Sequence, residues 1–260
     1  MQTFDYSTLA SVADAARAAA GGARLIAGGQ SLLPSMKLGL AAPEALADLG
    51  GIAELRGITV AGGVVKIGAM TTHATVAASA EVQKAIPALA DLAGRIGDRQ
   101  VRNRGTLGGS LANNDPAACY PAAVLGLGAT VHTNKRDIAA DDFFQGIYTT
   151  ALAEDEVITA VSFPVPEKAA WQKFNQPASR FSIVGVFVSK GPQGVRVAVT
   201  GAGAGGVFRA KALEDRLAAN WSGAALAGAS VAADDLVSDL HGSAEYRAAL
   251  IPVLAARAVG

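Results

Sequence analysis

The sequence predicts an α+β protein in which a mixed first part gives way to a small antiparallel sheet and then to helices. Three observations predict it. The order helix, strand, glycine turn occurs twice within the first 115 residues. A stretch "ITVAGGVVKIGAM" reads as a hairpin with Gly62-Gly63 as its two-residue turn. Beyond "DEVITAVSFPVP", three β-rich runs precede an alanine-rich tail of helical pattern.

Taken in order, "STLASVADAARAAA" places Leu9, Val12, Ala13 and Ala16 on one face, so a helix is expected from Ser7 to the stop at Gly21-Gly22. "ARLIAGG" follows as a short buried strand entering a turn. After the hairpin, "AIPALADLAGRIG" is helical and leads through "RQVRNRGTLGG" to the second glycine turn. "AAVLGLGATVHTNKRDIAADDFF" is read as continued β structure, and "DEVITAVSFPVP" as a strand ending at Pro164 and Pro166. The prolines mark the expected boundary: a first domain over 1–166, with lobes of about 1–56 and 57–166, and a second over 167–260. In the second, "WQKFN", "FSIVGVFVSKG" and "GVRVAVTGAG" are strands. "RAKALEDRLAANW", "AALAGASVAADDL" and "AEYRAALIPVLAARAV" are helices.

Composition excludes several functions. Lys plus Arg equal Asp plus Glu at 22 each, which gives no basic field for nucleic acid. No run reaches the ~18 apolar residues of a membrane span, and the first residues lack a signal-peptide pattern. The expected location is cytoplasmic. One cysteine and three scattered histidines (His73, His132, His241) support neither a four-cysteine cluster nor a metal site.

The chemistry-bearing stretches are the two glycine turns. Ala27-Gly28-Gly29-Gln30-Ser31 and Thr106-Leu107-Gly108-Gly109-Ser110 each combine a Gly-Gly pair with hydroxyl residues. Backbone N–H groups of such turns can converge on an anion, because no Cβ blocks close approach. Either alone is more readily a tight turn; together they point to a dinucleotide pyrophosphate held from two sides. Gly201-Ala202-Gly203-Ala204-Gly205-Gly206 satisfies G-x-G-x-x-G, but no second parallel strand or strand-borne acid follows it. It is read as a flexible turn. The arginines of "GRIGDRQVRNRG" around Asp98 suit a solvated face first, and otherwise pairing with phosphate or with an acidic partner surface. Lys173 is a lone cation in a strand, and Asp141-Asp142 beside Phe143-Phe144 suits a turn over the core. No catalytic triad is visible, so a bound cofactor would carry the chemistry.

"IAGGQSLLPSMKL", "IGDRQVRNRGTLGGSLANNDPAA" and "ALAEDEVITAVSFP", in that order, resemble the FAD-binding medium subunits of the molybdenum hydroxylases, the xanthine dehydrogenase and aerobic carbon monoxide dehydrogenase family. The likeness extends over nearly the whole chain. It implies a two-lobed vanillyl-alcohol-oxidase-type (PCMH-type) FAD-binding domain, then a small antiparallel sheet plus a helical bundle. It implies FAD contacts at Ala27, Gly28, Gly29, Gln30 and Ser31, and at Thr106, Leu107, Gly108, Gly109 and Ser110. Ile96, Ile158 and Lys173 are further implied contacts. Cys119 stands where the family commonly has Asp or Glu at the flavin, and a thiol lacks a carboxylate's acceptor strength. Either water and neighbours such as Asn113, Asn114 or Asp115 supply the contact, or FAD is held more weakly, or, as the last-ranked option, the thiol is itself redox-active.

The implied role is a flavoprotein oxidoreductase subunit for electron transfer. Its partners would be a molybdenum-cofactor large subunit, where substrate is oxidised, and a [2Fe-2S] small subunit, in a heterotrimer or its dimer. The alternatives are a stand-alone flavin-dependent oxidoreductase of the same fold, akin to the UDP-N-acetylmuramate-forming reductases, and an assembly protein whose FAD site has decayed.

Overall fold

The computed structural model describes residues 3–260. Its first layer is a three-stranded parallel sheet, Asp5–Thr8, Ala45–Asp48 and Arg24–Ile26, with Ala45–Asp48 in the middle. Parallel neighbours need crossovers. The helices Val12–Ala20 and Leu32–Lys37 lie in those connections. The first helix starts later than the sequence predicts. Ser7 lies in the edge strand, and Ser11 is the N-cap, its hydroxyl accepting the Asp14 amide at 3.1 Å. A serine three residues ahead of an acidic residue is the start signal that outweighs the apolar face counted from Ser7.

A five-stranded antiparallel sheet follows, ordered Ile58–Ala61, Val64–Gly68, Ile158–Pro164, Thr130–Thr133 and Asp137–Ala139. The Gly62-Gly63 turn closes its first hairpin with φ of 57° and 75°, a left-handed pair that glycine adopts without penalty. Helices Pro87–Gly94, Leu107–Asn113 and Tyr120–Gly126 contribute Leu89, Leu92, Leu107, Leu111 and Tyr120 to the core this sheet shares.

The expected β run from Ala122 is instead the helix Tyr120–Gly126, every residue of it buried, followed by the strand Thr130–Thr133. A fully buried apolar stretch shows neither helix nor strand periodicity.

The last sheet is antiparallel, Lys168–Asn175, Ser182–Gly191, Gly194–Thr200 and Phe208–Arg209. Its central strand is buried on both faces. Phe187, with Trp171 and Ala198, packs into the first core. Val184, Val186 and Val188 pack against the helices Lys211–Ala219 and Ala244–Val259.

Two expectations fail here. "AALAGASVAADDL" forms only a 3-10 turn, Gly223–Leu226, with Gly228 at φ 67°; alanine content alone does not carry an isolated short helix. The Gly201–Gly206 run is a turn but not a flexible one. The Gly201 amide donates to Pro116 O and the Ala204 amide to Asp235 O, each at 2.8 Å.

Candidate functional site

A cavity of about 520 Å3 opens where the parallel layer, the helices of the second layer and the start of the last sheet meet. Its size suits a cofactor. Both glycine turns line it, and they touch. A Cβ on Gly28 would stand 2.2 Å from Arg104 O, and one on Gly109 would stand 3.3 Å from the Ala27 Cβ. The glycine at position 28 is therefore required by the approach of the two backbones.

The turns differ in what they leave free. Among the described residues, no acceptor takes the amide hydrogens of Gly28, Gly29, Gln30 or Ser31. Ser31 occupies the N-cap position of Leu32–Lys37 without capping it through its hydroxyl. The second turn leads into a helix, Leu107–Asn113, and the amides of Leu107, Gly108 and Gly109 are spent. Leu107 donates to Thr71 O at 3.1 Å, Gly108 to Ala69 O at 2.8 Å and Gly109 to the Thr106 hydroxyl at 3.1 Å. Leu107 does not line the cavity; its side chain is in the core. Gly108 packs on Ala69, where a Cβ would meet the Ala69 Cβ at 2.6 Å.

The remaining wall gathers residues far apart in sequence. Ile96, Ser110, Cys119, Ile158 and Lys173 line it together with both turns. Lys173 is buried, and its Nζ donates to Arg95 O at 3.1 Å and to Cys119 Sγ at 3.3 Å. Cys119 Sγ also lies 3.7 Å from the Ser182 hydroxyl. The cysteine thus faces the cavity already engaged by protein groups.

Of its proposed substitutes, Asn114 is committed elsewhere. It sits in the left-handed region at φ 44°, and its amide donates to Gly146 O at 2.7 Å and Thr149 O at 2.9 Å. Asp115 accepts the Ala117 amide at 2.8 Å but lines the cavity, as does Asn113.

The arginine-rich stretch shapes the same wall. Asp98 caps the helix Arg99–Arg104, accepting the Val101 amide at 2.8 Å. Arg102 donates to Ile96 O at 3.1 Å and Gly97 O at 3.0 Å, which fixes the turn that presents Ile96. Arg99 and Arg104 are exposed. Asp141, by contrast, pairs with Arg196 and Arg209 at the foot of the last sheet, which agrees with a packing role.

Four residues at the cavity carry no sequence signal for it. His73 lies buried under Gly105, and its Nδ1 has no hydrogen-bond partner among the described residues. Burial, reinforced by the Arg102 charge, holds its pKa down at about 4, so the ring is neutral at pH 7. Arg180 and Phe181 stand exposed at the rim, Arg180 at φ 62° and donating to Gly97 O at 3.4 Å. Glu156 also lines the cavity. The Arg136 hydrogen bond lowers its pKa to about 2.

One hydrogen-bonded row was invisible in the sequence. His132 Nδ1 lies 2.6 Å from Asp137 and Nε2 lies 2.7 Å from the Ser162 hydroxyl, across three strands of the five-stranded sheet. None of the three lines the cavity, and the row joins neighbouring strands.

Fold and cavity together define a cofactor-binding protein. The chain belongs to the family described as the FAD binding domain in molybdopterin dehydrogenase, whose model matches residues 2–166. It is 38% identical over 252 residues to the nicotine 6-hydroxylase medium subunit of Paenarthrobacter nicotinovorans, covering 91% of this chain and 88% of that one. A chain of the carbon monoxide dehydrogenase of Hydrogenophaga pseudoflava superposes with a TM-score of 0.87 at 34% identity, covering 99% of this chain and 96% of that one. For quinoline 2-oxidoreductase from Pseudomonas putida 86 the values are 0.88, 31%, 99% and 96%. The chain is accordingly a flavoprotein oxidoreductase subunit, and FAD is its cofactor.

The residues present fit FAD. A pyrophosphate needs converging donors, and four unpaired amides and a free-standing hydroxyl line the cavity at Gly28–Ser31. Ile96, Ile158 and the buried Lys173 line the same cavity, and their apolar and amine groups are compatible with a flavin. No helix among the described residues is long and apolar enough to cross a membrane.

Proposed function

We propose that this chain is the electron relay of a cytoplasmic molybdenum hydroxylase. Substrate is oxidised on a molybdenum-cofactor large subunit, a [2Fe-2S] small subunit delivers the electrons to FAD here, and an external acceptor removes them. When bound, FAD supplies a centre that takes electrons singly and releases them in pairs.

The chain's own residues bind and orient it. The amides of Gly28–Ser31 take the pyrophosphate, with the Ser110 hydroxyl opposite. Ile96 and Ile158 exclude water from the ring, and Lys173 places a charge beside it. Residues 1–166 would form the FAD domain in two lobes, with 167–260 closing the cavity through Lys173.

The observation that carries the reading is the unpaired amide run beside a cavity that a buried lysine also lines, in a chain whose single cysteine cannot hold an iron–sulfur cluster. The test is anaerobic reduction, followed by flavin absorption near 450 nm. The FAD-loaded chain within its complex should bleach when the complex receives substrate, and the isolated FAD-loaded chain should not. Turnover by the isolated chain with a small-molecule donor would instead establish a stand-alone oxidoreductase. A complex that assembles without flavin would overturn both.

A further inference from the structure

Lys173 is only 7% exposed, yet its Nζ has two partners, a carbonyl oxygen and a thiol. A buried lysine is ordinarily paired with a carboxylate. Here the carboxylates of the cavity are committed elsewhere or lie outside. Asp115 accepts the Ala117 amide, Glu156 is held by Arg136, and Glu154 is exposed. Arg95, whose carbonyl receives Lys173, pairs its own guanidinium with Asp91 at 3.3 Å. Arg102 and Arg180 bring further positive charge to the Gly97 turn. Cys119 occupies the place from which a side chain reaches Nζ, and its thiol is a weak acceptor.

We propose that Cys119 and Lys173 act as a redox-tuning pair. The thiol leaves the lysine without a counter-charge, and the uncompensated cation in the cavity wall favours the reduced flavin. The proposal rests on the FAD reading above and adds a direction to it.

The couple concerned is oxidised FAD plus two electrons and one proton, giving reduced FAD with one negative charge. The electrons come from the one-electron iron–sulfur donor or, in a titration, from dithionite. A buried cation lowers the free energy of the product of that step more than that of the reactant, because only the product is anionic. A carboxylate at position 119 would pair with Nζ and cancel the effect. Lys173 is a positioning residue for charge; no bond to it forms or breaks.

The test is the midpoint potential of FAD bound to the purified holoenzyme, from a dithionite titration with indicator dyes, on the wild type, Cys119→Ser, Cys119→Asp and Lys173→Met. Flavin content and circular dichroism are measured first. Cys119→Ser, neutral and similar in size, should leave the potential in place. Cys119→Asp and Lys173→Met should each move it to a more negative value, and the fraction of flavin reduced at a fixed ratio of dithionite should fall with it.

Unchanged potentials in both charge variants, with FAD bound, would overturn the pairing while leaving the FAD reading intact. Wild-type protein that takes up no FAD would overturn the FAD reading itself. If Cys119→Asp alone loses flavin, Lys173→Met decides the matter. If both lose it with their fold intact, the cation serves binding and the tuning role is wrong.

Discussion

The two glycine turns read alike in sequence and differ in what their backbone has left to give. Gly28–Ser31 keeps its amides unpaired beside the cavity, whereas Leu107–Gly109 has spent them on Thr71, Ala69 and Thr106. The first turn is a donor set. The second is a fixed abutment against which the first is placed, and His73, packed beneath Gly105, is its floor. Similar composition thus serves two jobs, and the hydrogen-bond ledger separates them.

The floor gives the largest expected effect. Folding holds His73 neutral, with its pKa at about 4 against an ordinary 6.5. Its contribution is complete above pH 6.5 and is lost as the pH falls toward 4, where the unfolded chain binds a proton that the folded chain refuses. The difference corresponds to about 3 kcal/mol across that window. Urea midpoints measured from pH 7 to pH 4.5 should fall steeply for the wild type and less steeply for His73→Phe. Parallel curves would remove His73 from the support of the second turn.

Next comes the contact between the turns. Gly28→Ala puts a Cβ against Arg104 backbone, which has no flexible end to move aside. The cost should be about 1–3 kcal/mol of stability, as for other overpacked sites. FAD affinity should fall more than tenfold, because the donor amides are displaced. A variant that binds FAD as before, by fluorescence quenching of added cofactor, would show that the approach of the turns is unnecessary.

The smallest effects sharpen the contrast most. Thr106→Ala removes a helix cap and should cost about 1 kcal/mol in the FAD-free protein. Ser31→Ala removes a hydroxyl that caps nothing, so the FAD-free melting temperature should hold while FAD binding weakens several-fold. Equal behaviour of the two variants in both assays would erase the distinction between donor set and abutment.

Much of the fold was legible because it rests on local signals. The Gly62-Gly63 hairpin and the Val-rich strands of the last sheet carry their own turn and alternation patterns. What was not legible depended on burial. The helix Tyr120–Gly126 has no polar face to reveal its period, and the tail around Val231 is alanine-rich without being helical.

The site was legible as two short stretches, since glycine pairs beside hydroxyls leave a mark in sequence. That the amides of the second are used internally depends on Thr71 and Ala69, some forty residues earlier, and no spacing announces it. His73 lies on the floor for the same reason. Its neighbours Gly105 and Tyr120 come from other elements.

Amide hydrogen exchange at the two turns, with and without FAD, tests the central claim most directly. Gly28, Gly29, Gln30 and Ser31 should exchange fast in the FAD-free protein and become strongly protected when FAD binds. Leu107, Gly108 and Gly109 should be protected in both states and change little. Protection gained at the second turn, with none at the first, would contradict the assignment of the donor set.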